Sequence, residues 1–239
     1  MADSANAKPV SEKVPVSAFN LFSKSSSLVQ GNLSTFAIVY LIPLLSNLGR
    51  FSSHDQSTAS KDLSSVTFAG LPPVALGGIV GFGLLLLLAF FVVNVIVGLM
   101  SVVLVLRTAQ GDKPKFGELW PPVKKFGPRL IGLGFLAGLY IFLGLIAFIV
   151  PGLIMIRRYV LSPYILIDED VSVTEAMRRS AALSKPYSGA VWGVIGVTFL
   201  ISMAGIVPIV GWIISFVLSV LYSVAPALRY EELKKLTKA

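Results

Sequence analysis

Four stretches of the chain, 25–49, 63–106, 130–156 and 186–228, carry no Lys, Arg, Asp or Glu, and all 32 such residues lie between or beyond them. Hydrocarbon imposes this segregation, because an ionised side chain at the centre of a bilayer costs several kcal/mol even on lenient scales. A helix needs about 20 apolar residues to cross. The runs therefore divide into six spans, at Leu33–Leu48, Ala75–Leu106, Leu130–Val150, Leu153–Ile167, Tyr187–Val207 and Gly211–Leu228. The pair Pro151-Gly152 and the segment Pro208-Ile209-Val210-Gly211 are turn signals that close two hairpins at the outer surface. The fourth segment is short and holds Arg157 and Arg158, so the alternative lays it along the interface in a five-span protein.

The expected fold is thus an all-α polytopic membrane bundle. It comprises a tail at 1–15, one transmembrane bundle at 16–230 and a basic tail at 231–239. Hydrophobic residues make up 55% of the 239, and mean hydropathy is +0.82, which leaves little chain for a soluble domain. The net charge of +8 belongs to the topology and does not point to nucleic acid, because no basic stripe is interleaved with aromatics on a polar face. Residues 107–129 carry six cations against two anions and 229–239 four against two, while 50–70 is balanced. The positive-inside rule then puts 107–129 and both termini in the cytoplasm, an assignment that favours an even number of spans.

Ile149-Val150-Pro151 recurs 57 positions later as Ile206-Val207-Pro208, and the same offset aligns the stretches around Phe116 and Val173. A further alignment relates Phe19, Phe22, Val29 and Leu33 to Phe116, Leu119, Phe126 and Leu130. The chain then reads as three units, each a short amphipathic helix, a span and a returning span, an arrangement of a kind membrane proteins use often. In the third unit Val173, Ala176, Met177, Ser180, Ala181 and Leu183 form a stripe at helical spacing. Ser172 and Glu175 stand in capping-box order, and Arg178, Arg179 and Lys185 fall late, where cations suit the helix dipole. Such a helix lies in the cytoplasmic headgroup layer with its basic residues toward anionic lipid.

Candidate chemistry is sparse. Zero cysteines and one histidine, His54, leave no thiolate or His-rich metal site and no Ser-His-Asp triad, so neither a cofactor nor enzymatic activity is expected. Asn94 sits mid-span, where it lines a polar path or makes an interhelical hydrogen bond. Arg157 and Arg158 suit bidentate contact with a lipid phosphate, pairing with Asp168, Glu169 or Asp170, or snorkelling to the outer surface. The three acids suit a divalent cation by charge, but consecutive residues seldom converge on one ion and more often cap the next helix. The glycines at 77–83 and 132–138 read as helix-packing residues, since no Lys-Ser/Thr follows in P-loop order.

Pro151-Gly152, Arg157, Pro163, Asp168-Glu169 and Glu175-Ala176-Met177-Arg178-Arg179-Ser180 together carry a resemblance. The stretch resembles the membrane domain found beside some glycerophosphoryl diester phosphodiesterases and the YciC-like bacterial inner-membrane proteins. Ala181 and Ala182 depart from the bulky aromatic frequent there. The resemblance implies a bacterial multi-span protein without the phosphodiesterase, which needs its own soluble barrel. The functional expectation is a non-enzymatic protein of membrane or envelope organisation. It contacts anionic lipid through Arg157, Arg158, Arg178 and Arg179, with a second copy or another membrane protein as candidate partner. The alternative is a small transporter or channel with a route past Asn94.

Overall fold

A computed structural model describes residues 15–48, 73–206 and 210–238, and these are helical with short connections and no strand. The tail expected at 1–15 lies almost wholly outside the described residues, and the 50–70 loop with His54 lies entirely outside them. In chain order the helices are α1 (Ala18–Gln30), α2 (Leu33–Leu48) and α3 (Pro73–Ala109), then a 3-10 turn (Phe116–Leu119), α4 (Trp120–Ala147), α5 (Ile149–Tyr159), α6 (Ser162–Glu169), α7 (Val173–Ser184), α8 (Ser188–Ala204), α9 (Val210–Tyr222) and α10 (Ala225–Lys238).

Four segments are long and apolar enough to cross a membrane: Gly81–Ala109, Phe116–Ala147, Ile149–Glu169 and Val210–Thr237. The count rises to six if each of two bent pairs, α1 with α2 and α7 with α8, makes one span. The fold is that of a multi-pass membrane protein. The bends of 99° and 105° set α1 and α7 across the axes of α2 and α8. At 1.5 Å per residue the 16 residues of α2 and 17 of α8 reach only about 24 and 26 Å, short of a hydrocarbon core of about 30 Å.

The three-unit pattern is realised unevenly. The first and third units have their crosswise helix; in the second no separate surface helix forms, and α4 runs straight from Trp120 through Pro128. Proline at position 128 removes one backbone donor without breaking the helix. The returning segments of units two and three do correspond. Each breaks, at Val160-Leu161 and at Ser223-Val224, and restarts with Ser162-Pro163 or Ala225-Pro226. The acids follow in step, Asp168-Glu169 in α6 and Glu231-Glu232 in α10. Within the basic segment expected at 231–239, α10 continues to Lys238, and Leu233 joins a buried cluster with Leu166 and Met177.

Pro151-Gly152 is not the turn between the third and fourth spans. The reversal occurs at Phe148, which is extended at φ −166° and ψ 152°, and Pro151-Gly152 lies inside the first turn of α5. Glycine is needed there for close approach. A Cβ on Gly152 would stand 2.9 Å from the Leu145 backbone nitrogen, and one on Gly144 would stand 3.0 Å from the Gly152 Cα. Of the second expected turn, 208 and 209 lie outside the described residues, and Val210 and Gly211 begin α9, with Gly211 buried.

Burial concentrates toward one end. One cluster joins Leu21 and Phe36 to Val103, Leu104, Val194 and Tyr222; another joins Leu106 and Leu133 to Leu161, Leu166, Met177 and Leu233. The other end exposes Leu84–Leu88 of α3, Phe142–Val150 at the α4–α5 reversal, and Ile213, Ile214 and Val217 of α9. Apolar side chains exposed in long runs match hydrocarbon as their solvent.

Candidate lipid-contact surface

An ion network closes the buried end, and the three consecutive acids at the end of α6 organise it. Asp168 accepts the Tyr230 hydroxyl at 2.7 Å, the Lys234 ammonium and the Gln110 amide at 2.9 Å. Glu169 takes the Arg179 guanidinium of α7. Asp170 caps α6 in the left-handed region at φ 48°, a conformation Asp tolerates better than most residues. Its carboxylate thereby meets Lys125 at 2.7 Å and Arg129 at 2.6 Å, one turn apart on α4. Three adjacent carboxylates thus tie α6 to three different helices, α10, α7 and α4, with Gln110 extending the network past the end of α3. The divalent-cation alternative fares poorly, since each acid already faces a cation.

In α7, Ser172 Oγ accepts the Glu175 N–H at 3.4 Å, but Glu175 does not return the bond expected of a capping box. Its carboxylate turns to Arg178 at 2.7 and 2.8 Å and to Arg179 at 2.6 Å. Arg178, then Arg179, holds the Glu175 carboxyl down at about 2, well below its ordinary 4.5. Lys125, then Arg129, lowers Asp170 in the same way.

The residues singled out from sequence separate accordingly. Arg178 and Arg179 are engaged by carboxylates. Arg157 and Arg158 occupy the last turn of α5 and pair with none of the three acids. They lie close to the middle of the α5–α6 segment, beside α7, where the Arg158 carbonyl accepts the Ser180 hydroxyl at 2.6 Å. Arg157 Nε is buried without an acceptor. Asn94 donates to the Phe90 carbonyl of its own helix at 2.9 Å, and not to a neighbouring helix as expected.

Three other cations, Lys113, Lys115 and Lys124, are exposed and have no carboxylate partner among the described residues. Glu118, in the same loop, accepts the Lys115 backbone N–H at 3.1 Å. Lys124 Nζ lies 5.4 Å from the centroid of the Trp120 ring, within cation–π range. Trp120 and Phe116, 40% and 42% exposed, form one wall of an apolar groove of about 290 Å³ whose other walls include Ile38 and Ile42 of α2 and Val93 and Ile96 of α3. The Asn32 amide donates to the Pro114 carbonyl at 3.1 Å and ties the lysine-bearing loop to the α1–α2 turn. Amphipathic aromatics between cations and an apolar groove are suited to the headgroup layer.

Sequence reasoning missed a buried cation. Arg229 of α10 is 1% exposed; it donates to Glu232 Oε2 at 2.5 Å and to the Val16 carbonyl at 2.7 Å, while the Val16 N–H donates to Glu232 Oε1 at 2.5 Å. The pair clamps the segment leading into α1. The available signal was the continuation of apolar spacing through Leu233 and Leu236, which extends the last helix past Arg229.

No family model, curated protein or solved structure matches the chain.

Proposed function

We propose that the protein is a non-enzymatic component of the cell membrane that gathers anionic lipid at its cytoplasmic face, with both termini on that side. The observation that carries this reading is the grouping of three carboxylate-free lysines beside exposed aromatics and an apolar groove. Arg129, Arg178, Arg179 and Lys234 are neutralised by carboxylates, whereas Lys113, Lys115 and Lys124 project unpaired beside Phe116, Trp120 and an apolar groove. Each lysine near an anionic surface contributes about 1 kcal/mol of attraction. The groove gives an acyl chain a place below them. The contact expected of Arg178 and Arg179 therefore passes to the loop lysines. The resemblance to the phosphodiesterase-associated membrane domain agrees with this role without adding chemistry to it.

The transport alternative has less support. Asn94 is satisfied within its own helix, and no hydrogen bond among the described residues links it to Arg157 or Arg158.

The test is lipid partition around the full chain in nanodiscs containing phosphatidylcholine and phosphatidylglycerol. Replacing Lys113, Lys115 and Lys124 together by Gln lowers phosphatidylglycerol enrichment, and enrichment equal to the parent's overturns the reading. The cysteine-free sequence allows a single Lys115→Cys to be labelled from one side only. Labelling from the cytoplasmic side supports the orientation.

A further inference from the structure

Arg158 carries an exposed guanidinium, and no carboxylate or other side-chain acceptor meets it among the described residues. It shares a face of α5 with Val150 and Ile154, 64% and 40% exposed, so the stripe leading up to it meets hydrocarbon. Neighbouring Arg157 is half-buried, with its Nε closed off, and offers less to a ligand.

Two contacts fix the depth of Arg158. Arg129 of α4 pairs with Asp170, and the Tyr140 ring lies 6.0 Å from that of Tyr159, so α4 and α5 run antiparallel with Arg158 nearly level with Tyr140. On its open face α4 stays apolar and exposed through Leu139, Phe135 and Ile131. Ile131 lies nine positions before Tyr140, and Ile149, at the reversal, nine before Arg158. Each interval is about 14 Å of helix, and together they match a hydrocarbon core of about 30 Å with Arg158 at its centre. Either surface of such a bilayer is farther than an arginine side chain reaches.

The surroundings on the α7 side are not those of a bilayer centre. Here α7 crosses at 105° to α8, sets Ser180 on the Arg158 carbonyl and exposes Thr174, Arg178 and Lys185. A cavity of about 220 Å³ opens at this level, lined by Tyr140, Tyr159, Thr174, Met177 and Arg178. Tyrosine suits the headgroup level, whereas an exposed arginine does not suit hydrocarbon. One hairpin thus has two polar boundaries, below Ile131 on the open face of α4 and beside Arg158 on the side of α7.

We infer that Arg158 holds the phosphate of a phospholipid drawn inward beside α7, so that the bilayer there is thinned to about half the depth it has along the open face of α4. The guanidinium fork matches phosphate oxygens, and the cavity between the two tyrosines and Arg178 takes the rest of the headgroup. A lipid is the source because the Val150–Ile154 stripe faces acyl chains. This contact needs a phosphate but no net negative charge, goes beyond the lysine-loop reading and shares no residue with it.

Headgroup position is the readout. The full chain is placed in phosphatidylcholine bilayers with a trace of one of two photoreactive phosphatidylcholines, bearing a diazirine on the ammonium group or in mid-chain, and adducts are mapped by peptide mass spectrometry. The expected map has headgroup adducts at 157–160 and 174–181 and chain adducts, at the same depth, at 131–139. In Arg158→Gln the headgroup adducts at 157–160 fall about tenfold, the scale of one lost charge-assisted hydrogen bond, while chain adducts at 131–139 persist. Absence of headgroup adducts from 157–160 overturns the inference, as does parental yield in an Arg158→Gln chain of parental Tm. If that variant does not fold, the parent map decides by the presence or absence of headgroup adducts at 157–160. The Lys113, Lys115 and Lys124 triple variant keeps these adducts, and their loss there would overturn the assignment to Arg158. No anionic lipid is present, so this result and phosphatidylglycerol enrichment at the loop fail independently.

Discussion

The two ends of the bundle are built for different solvents. At one end α6, α7 and α10 bury Leu161, Leu166 and Leu233 and close over them with ion pairs from Asp168, Glu169 and Asp170. At the other, the α4–α5 reversal leaves Phe142, Ile146, Phe148 and Ile149 exposed and is held by the close approach of Gly144 and Gly152. The first end meets water and headgroups, so apolar side chains must hide from it and polar ones must be paired. Against hydrocarbon apolar exposure costs nothing, and close packing of small residues is what holds such helices together.

The largest test of this contrast compares leucines. Leu166→Ala opens a cavity where the parent side chain is 0% exposed and costs about 2–5 kcal/mol. Leu143→Ala, at a site 52% exposed, changes stability by about 0.5 kcal/mol or less, measured by unfolding in detergent. Equal losses at the two sites would mean that the reversal is packed against something other than lipid.

A smaller effect separates the glycines. Gly152→Ala drives a methyl to within 2.5 Å of the Leu145 side chain and costs about 1–3 kcal/mol. Gly138→Ala meets nothing within 4 Å and is neutral or stabilising by up to about 1 kcal/mol. A neutral Gly152→Ala would remove glycine contact as the device that closes the hairpin.

The charged end responds to acid and the apolar end does not. Glu175 has a folded-state value of about 2 against an ordinary 4.5, and Asp170 is likewise lowered, so their ion pairs stabilise the fold above the ordinary carboxylate range. That contribution falls as pH drops from 4.5 toward 2, because the unfolded chain takes up protons that the ion-paired carboxylates of the folded chain still exclude. Hydrogen exchange in α6 and α7 should rise over this window while α5 near Phe148 stays constant, and Glu175→Gln should flatten the Glu175 part of the response. Exchange that rises equally in all three would point to global unfolding.

The smallest change expected is at Asn94. Asn94→Leu removes only a bond within α3 and shifts stability by about 0.5 kcal/mol or less. Loss of a measured solute flux in the folded variant would restore the transport alternative.

Sequence by itself determined the solvent. Long runs without charge fix which segments lie in hydrocarbon, and Leu33–Leu48 emerged as α2 with its expected boundaries, because hydration cost is local and additive along a chain. It also marked the crosswise α1 and α7, whose apolar stripes are written at helical spacing. The partners of the charges were decided only in three dimensions. Whether Asp170 meets Lys125 and Arg129 or Arg157 and Arg158 depends on the left-handed cap that ends α6 and on which face of α4 lies opposite. The same holds for Arg229, which looks in the sequence like the first charge past the last span. It is buried because α10 continues past it and packs against the entry to α1, more than 200 positions away in the chain. Burial of that kind follows from long-range packing, and no local pattern of residues encodes it.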